Sequence, residues 1–366
     1  MHIPDGYLSP STCAVGYAVV LPFWAIALRR VRAVLHTRFV PLLAVVSAFS
    51  FVIMMFNLPL PGGTTGHAVG LALAPILLGP WAAMLAISIA LFIQAVFFGD
   101  GGITTFGANC LNMAVVGPVV AYWVYRLLAG GAALTSPRRV FAAAAAGYVA
   151  INVAALLAGI EFGIQPLLFH DATGAPLYAP YPLGIAIPAM LIGHLTLAGL
   201  AEAMISGGVV AYLQKSDPGL LQASALGSAQ EDGQAEPAAA PSGWRPTRAL
   251  WVGVALLMIA SPLGLLATGM AWGEWGVDDF QDTAVRTQIA RASANVDPPA
   301  AVPQGLARLA RLWTAPMPDY APPFMHRPAF GYIMSACVGG GLILLAVLGL
   351  LTLMRGGSAR PSRRSP

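Results

Sequence analysis

Nine stretches of this chain are apolar over lengths that water tolerates only when they are packed away or embedded in lipid. They run at about 11–28, 39–57, 67–78, 81–98, 106–128, 138–160, 183–212, 249–270 and 330–354. A bilayer span takes roughly 20 predominantly apolar residues. In lipid every backbone N–H and C=O must be satisfied within the segment, so each span is read as a helix. The third run falls short of a square crossing and is ended by Gly79-Pro80. Charged side chains make up 9% of the chain and the mean hydropathy is +0.73. Soluble domains carry about 25% charge, which excludes a water-soluble enzyme and leaves an all-α polytopic membrane protein.

Between the seventh and eighth runs the composition changes. Residues 213–248 are rich in Ser, Gln, Ala, Pro and Gly and read as a flexible linker. The chain thus divides into a membrane domain over 1–212, the linker, and a two-span part over 249–366 that encloses a polar loop at about 271–329. The net charge of +4 does not mark a nucleic-acid surface, because its basic residues sit in short clusters between apolar runs. Arg29, Arg30, Arg32, Arg38, Arg126, Arg138, Arg139, Lys215, Arg245, Arg248, Arg355, Arg360, Arg363 and Arg364 all fall on one side of the membrane. By the positive-inside rule that side is the cytoplasm, so the amino terminus is outside and the carboxyl terminus inside. No Lys or Arg precedes the first run, so no cleavable signal is expected and Met1 is read as a free amino terminus. Cys13, Cys110 and Cys337 lack the spacing of a disulfide framework or zinc ribbon.

The chemistry lies at the outer face. The chain opens Met1-His2. A free terminal amine, the deprotonated backbone nitrogen of His2 and its Nδ1 close two fused rings in one plane, and one further nitrogen completes a square. That ligand set suits Ni(II) or Cu(II) better than tetrahedral Zn(II). Its donors must be unprotonated, so binding releases protons and weakens in acid. His67, after the Gly-rich loop Pro61-Gly62-Gly63-Thr64-Thr65-Gly66, is the candidate fourth donor. A hydrogen-bonded core histidine is the alternative reading.

Residues 97–117 place Asp100, Thr104, Thr105, Asn109 and Asn112 at the same face, where one of them is suited to orient the His67 imidazole. His194 and Glu202 share the seventh run, about 12 Å apart along a helix, too far to chelate one ion together. They read as polar contacts between helices or a coupling surface. Small residues at Ala142 to Gly147, Gly199, Ala203 and Gly207-Gly208 suit close helix contact with a partner.

With these residues in hand, the chain resembles the CbiM/NikM family. These are the substrate-binding (S) components of energy-coupling-factor (ECF) transporters for cobalt and nickel. The resemblance covers residues 1–212. It rests on Met1-His2-Ile3-Pro4-Asp5-Gly6-Tyr7-Leu8-Ser9-Pro10, on Gly62 through His67, on Phe98-Gly99-Asp100-Gly101-Gly102-Ile103-Thr104-Thr105 with Asn109 and Asn112-Met113, and on His194 through Ser206. It implies a seven-helix S-component bundle, a metal bound by Met1, His2 and His67, and a site lined by residues such as Asp5, Thr64 and Thr65. It also implies a CbiQ/NikQ-like membrane coupling subunit, a CbiO/NikO-like ATPase pair, and a location in the cell (inner) membrane of a prokaryote.

Residues 249–354 look like a fused NikN/CbiN-type part, with Ala271-Trp272-Gly273-Glu274-Trp275-Gly276 similar to the nickel pattern. No PDGLE-type sequence is apparent, which favours nickel over cobalt as the carried ion. The acidic residues Glu274, Asp278 and Asp279 read as a solvated loop, or as transient metal sites if this part loads metal.

No GxxxxGK[ST] phosphate loop is present, so ATP hydrolysis is left to separate subunits. A stand-alone secondary transporter, the main rival, calls for repeats and paired intramembrane carboxylates. Only Glu202 answers that description and no repeat is evident. A vitamin-binding S component is a nearer rival, but it would not need a free Met1-His2; a cobalt-specific component supplying cobalamin synthesis is the other alternative.

Overall fold

The computed structural model describes residues 1–34, 39–222, 247–322 and 324–356. His36, Arg38, most of the linker and the last four arginines but Arg355 lie outside the described residues. After a non-helical amino-terminal segment come α1 (Pro10–Val34), α2 (Phe39–Met54) and a hairpin of β1 (Leu58–Leu60) and β2 (Thr64–Gly66). They are followed by α3 (Leu73–Leu78), α4 (Pro80–Ile93), α5 (Phe106–Asn109), α6 (Gly117–Ala129), α7 (Pro137–Gly163), α8 (Gln165–Leu168), α9 (Leu183–Gly193) and α10 (Gly199–Ser216). Beyond the linker lie α11 (Arg248–Ala260), α12 (Thr283–Ala292), α13 (Gln304–Leu309) and α14 (Pro328–Gly356).

Among the described residues seven helical stretches are long and apolar enough to cross a membrane, with α2 just shorter at 16 residues. Large apolar side chains are exposed along them, including Val15 and Leu21 on α1, Leu200 and Met204 on α10, and Leu256 and Ile259 on α11. Such surface is stable only against lipid. The molecule is a multi-pass membrane protein.

Two sequence expectations are corrected. The run 67–78 is not one helix, because only Leu73–Leu78 is helical and residues 67–72 are irregular, though buried. Irregular backbone at this depth survives because protein, not lipid, surrounds it. The small residues read as a partner surface are largely spent inside the chain. Ala142, Ala143, Ala146 and Gly147 are buried in α7, which packs on α6, α9 and α10. A Cβ at Gly147 would come within 2.7 Å of Ser206 Oγ. Gly208 alone among them faces open space.

The site is positioned by α7, whose amino end carries Arg138 and Arg139 and whose far end, about 36 Å away at 1.5 Å per residue, presents Phe162 to the amino-terminal segment. Three helices pass through π-helical turns: Gln94–Phe98 after α4, Cys110–Val116 after α5, and His194–Ala198 between α9 and α10, the last beside Tyr148 midway along α7. Each adds a residue to a turn and frees carbonyls to be met by neighbours, a geometry common at functional sites.

Candidate metal centre

The first five residues are built into the bundle by backbone and side-chain hydrogen bonds. Ile3 N donates to Asn109 Oδ1 at 2.8 Å, and Asn109 Nδ2 donates back to Ile3 O at 3.1 Å. Ile3 O also accepts from Thr105 Oγ1 and from Gly102 N at 2.9 Å. The Asp5 carboxylate accepts from Ile103 N at 3.0 Å, from Thr104 N at 2.7 Å and from Thr104 Oγ1. Only glycine fits at 102, because a Cβ there would lie 2.4 Å from Asp5 N. The segment is therefore an ordered strap across the bundle, with Met1 and His2 buried beneath it.

His67 follows β2 and is buried facing His2, their ring centroids 5.0 Å apart and their planes inclined by 34°. His67 Nδ1 donates to Ala68 O at 3.1 Å, which leaves Nε2 as the free lone pair. Neither ring nitrogen of His2 makes a hydrogen bond, although both are buried. His2 Nδ1 does lie 2.8 Å from Asp100 Oδ1, a close polar contact off the hydrogen-bonding line. Buried polar atoms are nearly always satisfied, and the Asp100 carboxylate is the polar partner this imidazole has within the described residues. Among the described residues no three His, Cys, Asp or Glu side chains are arranged to hold a metal. That absence is compatible with a donor set drawing half its nitrogens from the main chain.

Two carboxylates face the terminal amine and His2. Burial raises the Asp100 carboxyl, but His2 and His67 outweigh it and hold the group well below the usual carboxylate range. Asp100 Oδ2 accepts from Gln94 Nε2 at 3.2 Å and from the Tyr320 hydroxyl. Glu274 Oε1 lies 3.6 Å from the Met1 amine; burial raises this carboxyl and the amine opposes it. The His67 imidazole is pushed below its ordinary value by burial, then by His2 and the amino terminus.

The sequence-derived residues thus take different stations. Met1, His2, His67 and Asp100 converge. Asp5, Thr104, Thr105 and Asn109 hold the strap rather than the imidazole, and the residue fixing the His67 ring is Ala68, through its carbonyl. Thr64 and Thr65 belong to the hairpin. Thr65 N donates to Met270 O at 3.1 Å, tying β2 to the segment between α11 and α14. Asn112 turns away and donates to Glu161 Oε2 at 2.6 Å. His194 is buried with Nδ1 2.6 Å from Met190 O, and Glu202 binds the backbone beyond His67.

Glu274 is not a solvated loop residue, which corrects that reading; Asp279 instead accepts from Gly276 N at 2.7 Å. Tyr320 and Gln94 escaped the sequence reading altogether, since 226 positions separate two groups that meet at 2.9 Å.

The connecting segment is seated by two aromatic clusters. Trp272 and Trp275 pack with Tyr7, Phe162 and Tyr181, and the Tyr7 hydroxyl donates to Trp275 O at 2.7 Å. Tyr320 stacks on Phe98 at 4.9 Å beside Phe51 and Tyr332. Its backbone φ of 59° is unusual for a bulky residue, a strain of the kind that collects at functional sites.

The family model described as the cobalt uptake substrate-specific transmembrane region, CbiM, matches residues 2–220. The chain belongs to the CbiM family. A second model, the PDGLE domain, matches residues 247–356. This corrects the expectation that no PDGLE-type sequence is present: the five-letter run itself is missing, but the domain is there. The chain is 56% identical over 347 residues to the fused nickel transport protein NikMN of Rhodobacter capsulatus, covering 95% of this chain and 96% of that one. It is 41% identical to the probable fused nickel transport protein LarMN of Lactiplantibacillus plantarum, covering 96% and 97%. A crystal structure of a transition metal transporter matches the CbiM region with 54% identity and a TM-score of 0.56, covering 59% of this chain and 94% of the other.

Proposed function

We propose that this protein is the substrate-specific component of an ATP-driven ECF transporter that takes up nickel. The ion is captured by the Met1 amine, the backbone and Nδ1 nitrogens of His2, and Nε2 of His67. The observation that carries the reading is the pair of facing imidazoles at 5.0 Å, one of them buried with both nitrogens free of hydrogen bonds, beside the terminal amine. Four nitrogens in this disposition favour a square-planar ion. Asp100 and Glu274 add negative charge that draws a dication into a buried site.

The fused nickel relatives, matched along nearly their whole length, support nickel; the PDGLE domain removes the composition argument against cobalt. Clustering of basic residues supports an amino terminus outside and capture from that side. A membrane coupling subunit and two ATPases supply the energy that turns the site inward, since the chain has no phosphate-binding loop. Glu274, held against the amine, is suited to hand the ion to the chelate.

Binding requires the amine and the His2 amide to be deprotonated, so it releases protons and weakens in acid. The test is calorimetry of Ni(II) and Co(II) with the full chain, with His2→Ala, and with the Met1 amine acetylated. Both changes are expected to weaken binding by at least about 100-fold, more than the loss of an outer-shell group costs, because the first removes the six-membered ring closed by Nδ1 and the second the five-membered ring closed by the amine. Unaltered affinity in the acetylated chain sinks the amino-terminal chelate.

A further inference from the structure

Glu202 lies in the first turn of α10, fully buried within a membrane-spanning helical stretch. Among the described residues its carboxylate is in no ion pair with a cation. Oε2 accepts from Val69 N at 2.7 Å and from Gly70 N at 3.0 Å, and Oε1 accepts from Leu71 N at 2.6 Å. Ser206 Oγ, one turn along the helix, donates to Oε1 at 3.4 Å. Three successive amides converging on one anion form a backbone nest. Gly70 makes it possible with a φ of 83°, a conformation side chains disfavour.

These amides follow His67 by two, three and four residues. The residues between are irregular, and helix resumes only at Leu73. On the carboxyl-terminal side of His67, therefore, no regular secondary structure fixes the backbone, whereas β2 ends directly before it. The connection runs from the α10 carboxylate to the amides of 69–71, along the backbone to Ala68, and through the Ala68 carbonyl to His67 Nδ1. On the other side, β2 is anchored to Met270.

We infer that Glu202 is the positioning residue for the fourth metal donor: by gripping the backbone of 69–71 it holds His67 Nε2 at the chelate and makes α10 and that donor move as one body. The inference rests on the chelate reading above. Ionisable groups within membrane helices are costly and mark function. A capping role toward α3 alone would account for the amides but assigns the carboxylate no effect on metal binding.

The test uses the full chain in detergent micelles with Ni(II) alone as probe. Affinity is read by calorimetry, and the ligand set by the visible absorption band of the bound ion. Glu202→Gln keeps the shape but turns an NH2 toward amide donors. It is expected to weaken Ni(II) binding at least about tenfold, as loss of groups that orient a ligand does, and to move the band to that of His67→Ala. In the His67→Ala background the same change is expected to alter affinity no further, because both act through one donor.

Wild-type band and affinity in Glu202→Gln, with His67→Ala impaired, overturn the positioning role and leave the chelate standing. Unimpaired His67→Ala overturns both. Should Glu202→Gln not fold, Ser206→Ala is expected to weaken binding roughly threefold by loosening one hydrogen bond. Wild-type behaviour there overturns the proposal.

Discussion

At the scale of single residues, the centre brings together donors, carboxylates and the groups that aim them. Asp100 is held by Gln94 and Tyr320 while it faces His2. Its charge, kept ionised by the two imidazoles, acts on a dication over a few ångströms of poorly screened interior. Asp100→Asn retains shape and partners but loses that charge, and is expected to weaken Ni(II) affinity about tenfold in calorimetry. The lowered His67 value has a consequence for stability. The unfolded chain takes up a proton near the ordinary value of 6.5 that the folded chain refuses. Its contribution to stability is therefore complete above pH 6.5 and is lost progressively as pH falls below it. The thermal midpoint of the metal-free protein is expected to fall between about pH 7 and pH 5, and His67→Ala to flatten that slope.

At the scale of elements, the apolar runs were legible because periodicity and length report burial directly. The π-helical turns were not, since no composition distinguishes them from ordinary helix. They arise where neighbouring groups satisfy the displaced backbone, as Tyr148 OH does in donating to Leu195 O at 2.8 Å. The run 67–78 misled for a related reason. Its apolar letters describe a buried segment, but the backbone of that segment is held by Glu202, 131 to 133 positions away. The connecting segment was read as polar loop because its few aromatics are spaced too irregularly to signal a packed unit. Trp275 is among the largest fully buried side chains. Trp275→Ala is expected to cost roughly 3–5 kcal/mol of local stability, visible as faster hydrogen exchange across residues 271–282 while the spans stay protected.

At the scale of the molecule, the two fused parts complete one centre. Residues 1–222 carry Met1, His2, His67 and Asp100, whereas the second part brings Glu274 to the amine and Tyr320 to Asp100. Its helices are close-packed on α2. A Cβ at Gly264 would lie 2.1 Å from Met55 O, and one at Gly339 would lie 2.1 Å from Phe51. A chain ending at Gln222 is expected to keep the nitrogen donors but surrender bound Ni(II) to a competing chelator at least about tenfold faster, because its cover is gone.

The sequence alone determined that the chain is a multi-pass membrane protein, and it picked out Met1, His2 and His67 as the candidate nitrogen donors. These follow from local facts: run length, charge placement, and the ring sizes a terminal His can close. Only the tertiary structure decided that Glu274 and Tyr320 reach the site, that Ala68 orients the imidazole, and that Glu202 holds the backbone behind it. Apart from Ala68, which neighbours His67, such contacts join residues 131 to 273 positions apart, and a buried polar group is chosen by whichever partner the packing leaves within reach.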